Sequence, residues 1–191
     1  MQFEIQIIKW LQSFSTAFLD GFFKVTSYLF DYPAMILLAL IFILFYKKEY
    51  GVYFLLVELI AALLQYVLKC IIARPRPYLV SEEIINMLQA MGHSFPSGHS
   101  VTAFGMALFV GYIVFKSDKK TWQKVLCYVG LVLFVLFSGI NRMYLGQHYL
   151  TDLFGGYAFM FIICVIAYYL YPYYLKLWAK IFKKDIPKAK E

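Results

Sequence analysis

Apolar positions along this chain gather into long runs separated by short polar breaks. Five runs, at 28–46, 50–72, 98–115, 125–141 and 149–171, come close to the roughly 20 residues needed to cross the hydrocarbon of a bilayer. The breaks are "KKE" at 47–49, a long polar loop at 73–97, "KSDKKTWQK" at 116–124, a short joint at 142–148 and a basic tail at 176–191. Residues 3–30 have a different rhythm. Phe3, Ile7, Trp10, Phe14, Phe18, Phe22, Val25 and Leu29 recur at helical spacing, interrupted by Lys9, Gln12, Ser13, Asp20 and Lys24. That is an amphipathic pattern, better suited to lying in the membrane interface than to spanning it, with a crossing as the alternative. The fold expected is an all-α integral membrane bundle of five to six transmembrane helices. An amphipathic N-terminal helix over 1–27 precedes it, and residues 1–191 form a single domain.

Composition agrees: 62% of the chain is hydrophobic and 15% charged, where a soluble domain is nearer to half and a quarter. The start, with Glu4 and Lys9 and no small-residue cleavage site, argues against a secretory signal peptide. The net charge of +7 raises nucleic acid as a partner, but its distribution argues for the membrane instead. If the five spans alternate, Lys47 and Lys48, the four lysines of 116–124 and the six of the tail share one side, twelve of the 18 basic residues. The positive-inside bias makes that side, with the C-terminus, cytoplasmic in a multi-pass plasma-membrane protein. Lys69, Arg74, Arg76 and Arg142 fall on the other side, against the topological grain, and call for a functional explanation. Cys70, Cys127 and Cys164 are scattered in apolar surroundings and read as small core hydrophobes. Neither metal-ligand spacing nor a cofactor motif is present.

Three segments meet on that extracytoplasmic side. In "ARPRP" the prolines hold the backbone extended, so Arg74 and Arg76 sit on a stiff piece. Rigid guanidiniums suit bidentate phosphate binding, and Lys69 adds a point charge; the plainer reading is snorkelling to headgroups. In "PSGH", Ser97 is an N-cap candidate and Gly98 begins a helix. The open N–H groups there form an anion site beside His99; the plainer reading is an ordinary capped helix. In "RMYLGQHYLTD", His148 and Asp152 are four apart, so on a helix the carboxylate reaches the imidazole, with Arg142 nearby. The plainer reading is polar contact between helices.

The three together are more specific than any one. K-x6-RP from Lys69 to Pro77, PSGH from Pro96 to His99 and R-x5-H-x3-D from Arg142 to Asp152 resemble, in order and spacing, the signature of the type 2 phosphatidic acid phosphatase superfamily. The resemblance covers a catalytic core from about 50 to 160. It departs where the third motif usually begins Ser-Arg and here has Asn141-Arg142; an amide still donates a hydrogen bond to a phosphate oxygen. The resemblance implies His148 as nucleophile, Asp152 as its orienting partner and His99 as acid and then base. It implies Lys69, Arg76, Ser97, Gly98 and Arg142 as the phosphate cradle; Asn141, in the usual serine position, and Arg74, one proline from Arg76, are candidate substrate contacts. Three cations can take the part that a metal plays in other phosphoryl transfers, so no cofactor is expected.

The implied activity is hydrolysis of a phosphate monoester or pyrophosphate on a lipid through a phosphohistidine. Undecaprenyl pyrophosphate, phosphatidylglycerophosphate and phosphatidic acid are the candidates, and the small size favours a bacterial member and the first two. A lipid phosphotransferase using the same phosphohistidine is the alternative, and a non-catalytic lipid-binding protein a more distant one. A haloperoxidase relative would be soluble, and a transporter would spread its charges through the depth of several spans. His93 and the Glu82-Glu83 pair match no motif position, and Glu58, costly in lipid, has no role assigned. Tyr144 and "YYLYPYY" at 168–174 read as interfacial aromatic belt.

Overall fold

Capping residues and prolines set where the helices begin and end. In the computed structural model, which describes residues 2–88, 90 and 92–182, every regular element is helical: α1 (Gln2–Gln12), α2 (Ala17–Thr26) running into a 3-10 turn (Ser27–Phe30), α3 (Tyr32–Phe45), α4 (Lys48–Ile72), α5 (Pro77–Val80), α6 (Gly98–Lys116), α7 (Thr121–Tyr144) and α8 (Leu150–Phe182). Asp31 caps α3, with Pro33 in its first turn. Such a proline has its φ pre-set and gives up an N–H that would have no partner there anyway. α4 stops at Ala73, which takes left-handed dihedrals just before the Arg-Pro-Arg-Pro stretch. Ser97 caps α6 and accepts from the Ser100 N–H. Asp152, in the first turn of α8, reaches back to the Tyr149 N–H at 2.9 Å, the N3-to-cap half of a capping box.

The span boundaries of α4, α6 and α7 fall within a few residues of the sequence expectation. α4, α6, α7 and α8 are each long and apolar enough to cross a membrane. α3, at 14 residues, is about 21 Å long and too short to cross alone. It meets the α2 segment at a 46° bend, and the two together make a fifth candidate span. α8 runs to Phe182, about 50 Å of helix, further than expected; residues 183–191 of the basic tail lie outside the described residues.

The N-terminal segment departs from a single amphipathic helix. It breaks at Ser13–Thr16, where Thr16 caps α2 and accepts from the Leu19 N–H. Gln12 and Asp20 face protein, while Lys9, Ser13 and Lys24 are exposed. Gln12 bonds the backbone of Ile85 and Tyr144, and Asp20 accepts from the Tyr144 hydroxyl. Phe3, Trp10 and Phe18 point outward. Periodicity finds two faces but not which one meets the bundle. Tyr144 is accordingly buried, stacked on Phe23 at 4.2 Å, not part of an aromatic belt. Of the three cysteines, Cys164 packs against the core that joins α4, α6 and α8, Cys127 is half-buried and Cys70 is exposed.

Leu63, Ile71 and Phe161 are more than half exposed on the bundle's outside, with many other large apolar side chains, an arrangement at odds with water and suited to lipid. Inside, Ala61, Val101 and Met160 join α4, α6 and α8. Ile8, Ile84, Met143, Tyr149 and Leu153 form a second core, pinning α1 under the long loop and the α7–α8 joint. A Cβ on Gly156 would lie 2.8 Å from the Ser97 carbonyl and 2.9 Å from Ser100 Cβ. Glycine there lets α8 press against the first turn of α6.

Candidate active site

The end of α4, the start of α6 and the joint between α7 and α8 converge at one end of the bundle, as alternating spans require. His148 sits in the joint, 3% exposed. Its Nδ1 lies 3.6 Å from Asp152 Oδ2 and 3.4 Å from Ser94 Oγ. The Ser94 hydroxyl donates to the same Asp152 oxygen. This geometry turns Nδ1 toward the carboxylate and Nε2 toward the Arg76 Nη1 atom, 3.5 Å away. Arg76 is aimed by the carbonyls of Gly92 at 3.0 Å and Gln147 at 3.1 Å. The Lys69 ammonium donates to the carbonyls of His93 at 2.7 Å and Ser94 at 3.4 Å. His99, in the first turn of α6, is 22% exposed at its side chain.

Arg142 differs from the other cations. It is 2% exposed, and its Nε and Nη1 have no hydrogen-bond partner among the described residues. It lies within electrostatic reach of both His99 and His148. A buried guanidinium with idle donors is costly unless an anion completes it. Lys69, Arg76, Arg142, His99, His148 and the α6 N-terminus with Ser97 and Gly98 are thus one cluster. Among the described residues, no three His, Cys, Asp or Glu side chains converge as metal ligands.

Two residues expected on the substrate lie elsewhere. The Arg74 guanidinium donates to Asp152 Oδ1 at 2.6 Å, Thr151 Oγ1 at 2.7 Å and Glu4 Oε2 at 3.1 Å, and it covers the Tyr149 ring at 4.0 Å. It stands behind Asp152 and holds that carboxylate from the far side. The Asn141 amide donates to the Phe23 carbonyl at 2.8 Å and to Thr26 Oγ1 at 3.2 Å. Both contacts tie α7 to α2 and leave no amide hydrogen for a phosphate. Sequence reasoning missed Ser94, Glu4 and Gln65. Gln65 donates to the Pro96 carbonyl at 2.9 Å and steadies the turn before α6. Glu4 accepts from the Thr151 N–H and hydroxyl. A polar residue on an otherwise apolar helix face was the available signal for Gln65; the others lie far away along the chain. Glu58 is buried with one oxygen unpartnered among the described residues, beside Gly105.

Burial drives the pKa of His148 down to about 3. The Asp152 carboxylate pulls it the other way, and Arg76, Lys69 and Arg142 add to the depression. The ring is therefore neutral in the folded protein at every ordinary pH. An unfolded histidine takes up its proton near 6.5. Between about 6.5 and about 3 the unfolded state binds more protons, so stability falls as the pH is lowered through that window and is fully retained above it. Thermal unfolding in detergent from pH 7.5 to 4.5 is expected to show a steeper loss for wild type than for His148→Gln. Parallel curves would contradict a neutral, desolvated ring.

A helical bundle of membrane-spanning segments, with a cationic cluster around a buried neutral histidine at one end, defines a multi-pass membrane protein. Residues 50–176 match the PAP2 superfamily model, and the chain belongs to that superfamily. It is 34% identical over 116 residues to phosphatidylglycerophosphatase B of Bacillus subtilis, across 60% of this chain and 55% of that protein; it thus spans about half the length of that relative. It is 30% identical over 172 residues to a lipid A 4'-phosphatase of Porphyromonas gingivalis, across 84% of this chain and 69% of that one. The crystal structure of Aquifex aeolicus LpxE superposes with a TM-score of 0.70 at 25% identity, covering 85% of this chain and 92% of the other.

Proposed function

We propose that this chain is a lipid phosphatase of the PAP2 superfamily that works through a phosphohistidine, without a metal, at the extracytoplasmic face. The observation that carries the reading is Arg142: a buried guanidinium with two idle donors, beside a neutral histidine, is completed by a phosphoryl group. Membership of a superfamily with lipid phosphatases among its relatives supports it.

In this reading His148 Nε2 attacks phosphorus. The bond from phosphorus to the lipid oxygen breaks, and His99 gives that oxygen a proton. His99 then takes a proton from water, whose oxygen attacks the phosphohistidine; the P–N bond breaks and inorganic phosphate leaves. Asp152 steadies the Nδ1–H of His148 as positive charge develops on the ring. Lys69, Arg76, Arg142 and the N–H groups at the start of α6 hold the equatorial oxygens, which is where phosphoryl transfer needs charge. Arg74 and Glu4 act behind Asp152, outside the reacting atoms. By the positive-inside bias the lysines around α3–α4 and α6–α7 mark the cytoplasmic side, which supports a site on the opposite face.

The substrate is a lipid phosphate monoester or pyrophosphate. Undecaprenyl pyrophosphate, phosphatidylglycerophosphate, phosphatidic acid and, from the P. gingivalis relative's name, a phosphorylated lipid A are the panel to test. Phosphate release from each by purified protein in detergent, with excess chelator, is expected to single out one. No release from any of the four would overturn the reading; release that needs an added lipid acceptor would favour the phosphotransferase.

A further inference from the structure

Asp31 stands where the α2 segment bends into α3, at the same end of the bundle as His148. Its two carboxylate oxygens have separate tasks. Oδ1 accepts the Tyr32 N–H at 2.8 Å and caps α3. Oδ2 lies 3.8 Å from His99 Nε2. The other charged or titratable groups acting on His99 come from four elements: Arg142 of α7, His148 of the α7–α8 joint, Arg76 of the stretch between α4 and α5, and Lys69 of α4. Three of these are cations and one is a neutral ring. Among the described residues, Asp31 is the acid paired with His99.

A general acid must hold a proton when the substrate arrives, and a ring facing three cations holds one poorly. A carboxylate 3.8 Å from its Nε2 offsets that. We propose that Asp31 is a positioning residue for His99, a role that rests on the phosphohistidine reading. Its Oδ2 takes the Nε2–H, fixes the ring and leaves Nδ1 for the leaving oxygen. The Nδ1 proton goes to that oxygen in the first step, and a proton from water returns to Nδ1 in the second. Asp31 stays ionised throughout and touches no substrate. At 3.8 Å the pair is longer than a hydrogen bond; catalytic contacts commonly tighten once substrate is bound.

The two tasks can be separated, because asparagine caps a helix as well as aspartate does. Asp31→Asn keeps the cap and removes the charge. With an alkyl lipid phosphate, whose leaving group needs a proton, kcat/KM is expected to fall about tenfold to a hundredfold, and the alkaline limb of its pH profile to move to lower pH. With p-nitrophenyl phosphate, whose leaving group departs without an acid, the loss is expected to be less than threefold. His99→Ala, measured alongside, should show the same dependence on leaving group with a larger drop, and adding Asp31→Asn to it should cost nothing more. Equal losses on both substrates, or an unshifted alkaline limb while His99→Ala discriminates, would overturn the role of Asp31 and leave the parent reading intact. A His99→Ala variant indifferent to the leaving group would overturn His99 as the acid, and Asp31's role with it.

Discussion

The His148→Ala variant is expected to release no phosphate above background, a loss of at least about a thousandfold, from whichever lipid the wild type prefers. The phosphohistidine reading gives this ring the covalent step, because its Nδ1 faces Asp152 and its Nε2 the Arg76 guanidinium at 3.5 Å. Rapid quench with a labelled lipid phosphate should trap label on the wild-type protein in an acid-labile, alkali-stable form, as a phosphoramidate requires, and none on the variant. Arg76 keeps the Gly92 and Gln147 carbonyls, so the cradle is expected to survive the truncation. Label retained by His148→Ala, or release at the wild-type rate, would assign the nucleophile elsewhere.

Replacement of Arg142 by methionine has two expected effects of opposite sign. kcat/KM should fall by about 10²–10³, since one of the three cations on the transferring group is gone. The resting protein should become more stable, because a buried guanidinium with two idle donors is replaced by an apolar chain of similar length. Exchanging buried charge for apolar volume is often neutral or stabilising by about 1–4 kcal/mol. Thermal unfolding in detergent reads the second effect. Added orthovanadate or phosphate should raise the wild-type midpoint, by completing Arg142, and leave Arg142→Met nearly unmoved. A variant that is both less stable and fully active would mean that Arg142 is a structural partner of the bundle and not an anion ligand.

Much of this was legible in the sequence, for identifiable reasons. Apolar runs of about twenty residues mark α4, α6, α7 and α8 because lipid demands them. The residues of the cluster could be nominated because lysine, arginine and histidine at the ends of apolar helices oppose both solvation and topology. Asp31, Ser94 and Glu4 were not legible. Each acts on a residue 54 to 147 positions away or across an unpredicted bend, and a polar side chain at a helix end looks the same whether it caps, pairs or faces water. Arg74 and Asn141 show the converse. Their motif positions suggested substrate, yet Arg74 meets carboxylates and Asn141 the backbone of α2, because neighbours in sequence can face opposite sides of one strand or helix.

The stitching of α1 to the far end of the chain bears on how the protein comes to be made. Glu4 reaches Thr151, 147 residues on, and Gln12 reaches the Tyr144 carbonyl, 132 residues on. α1 therefore lacks these partners until α7 and the first turn of α8 have been made. Loops that long close slowly. The Glu4–Arg74–Asp152 chain, and with it the alignment of His148, is absent from every shorter nascent intermediate. Synthesis and competence are thereby placed in sequence: a half-built chain has its cations in the membrane but no aligned histidine with which to attack the surrounding lipid phosphates.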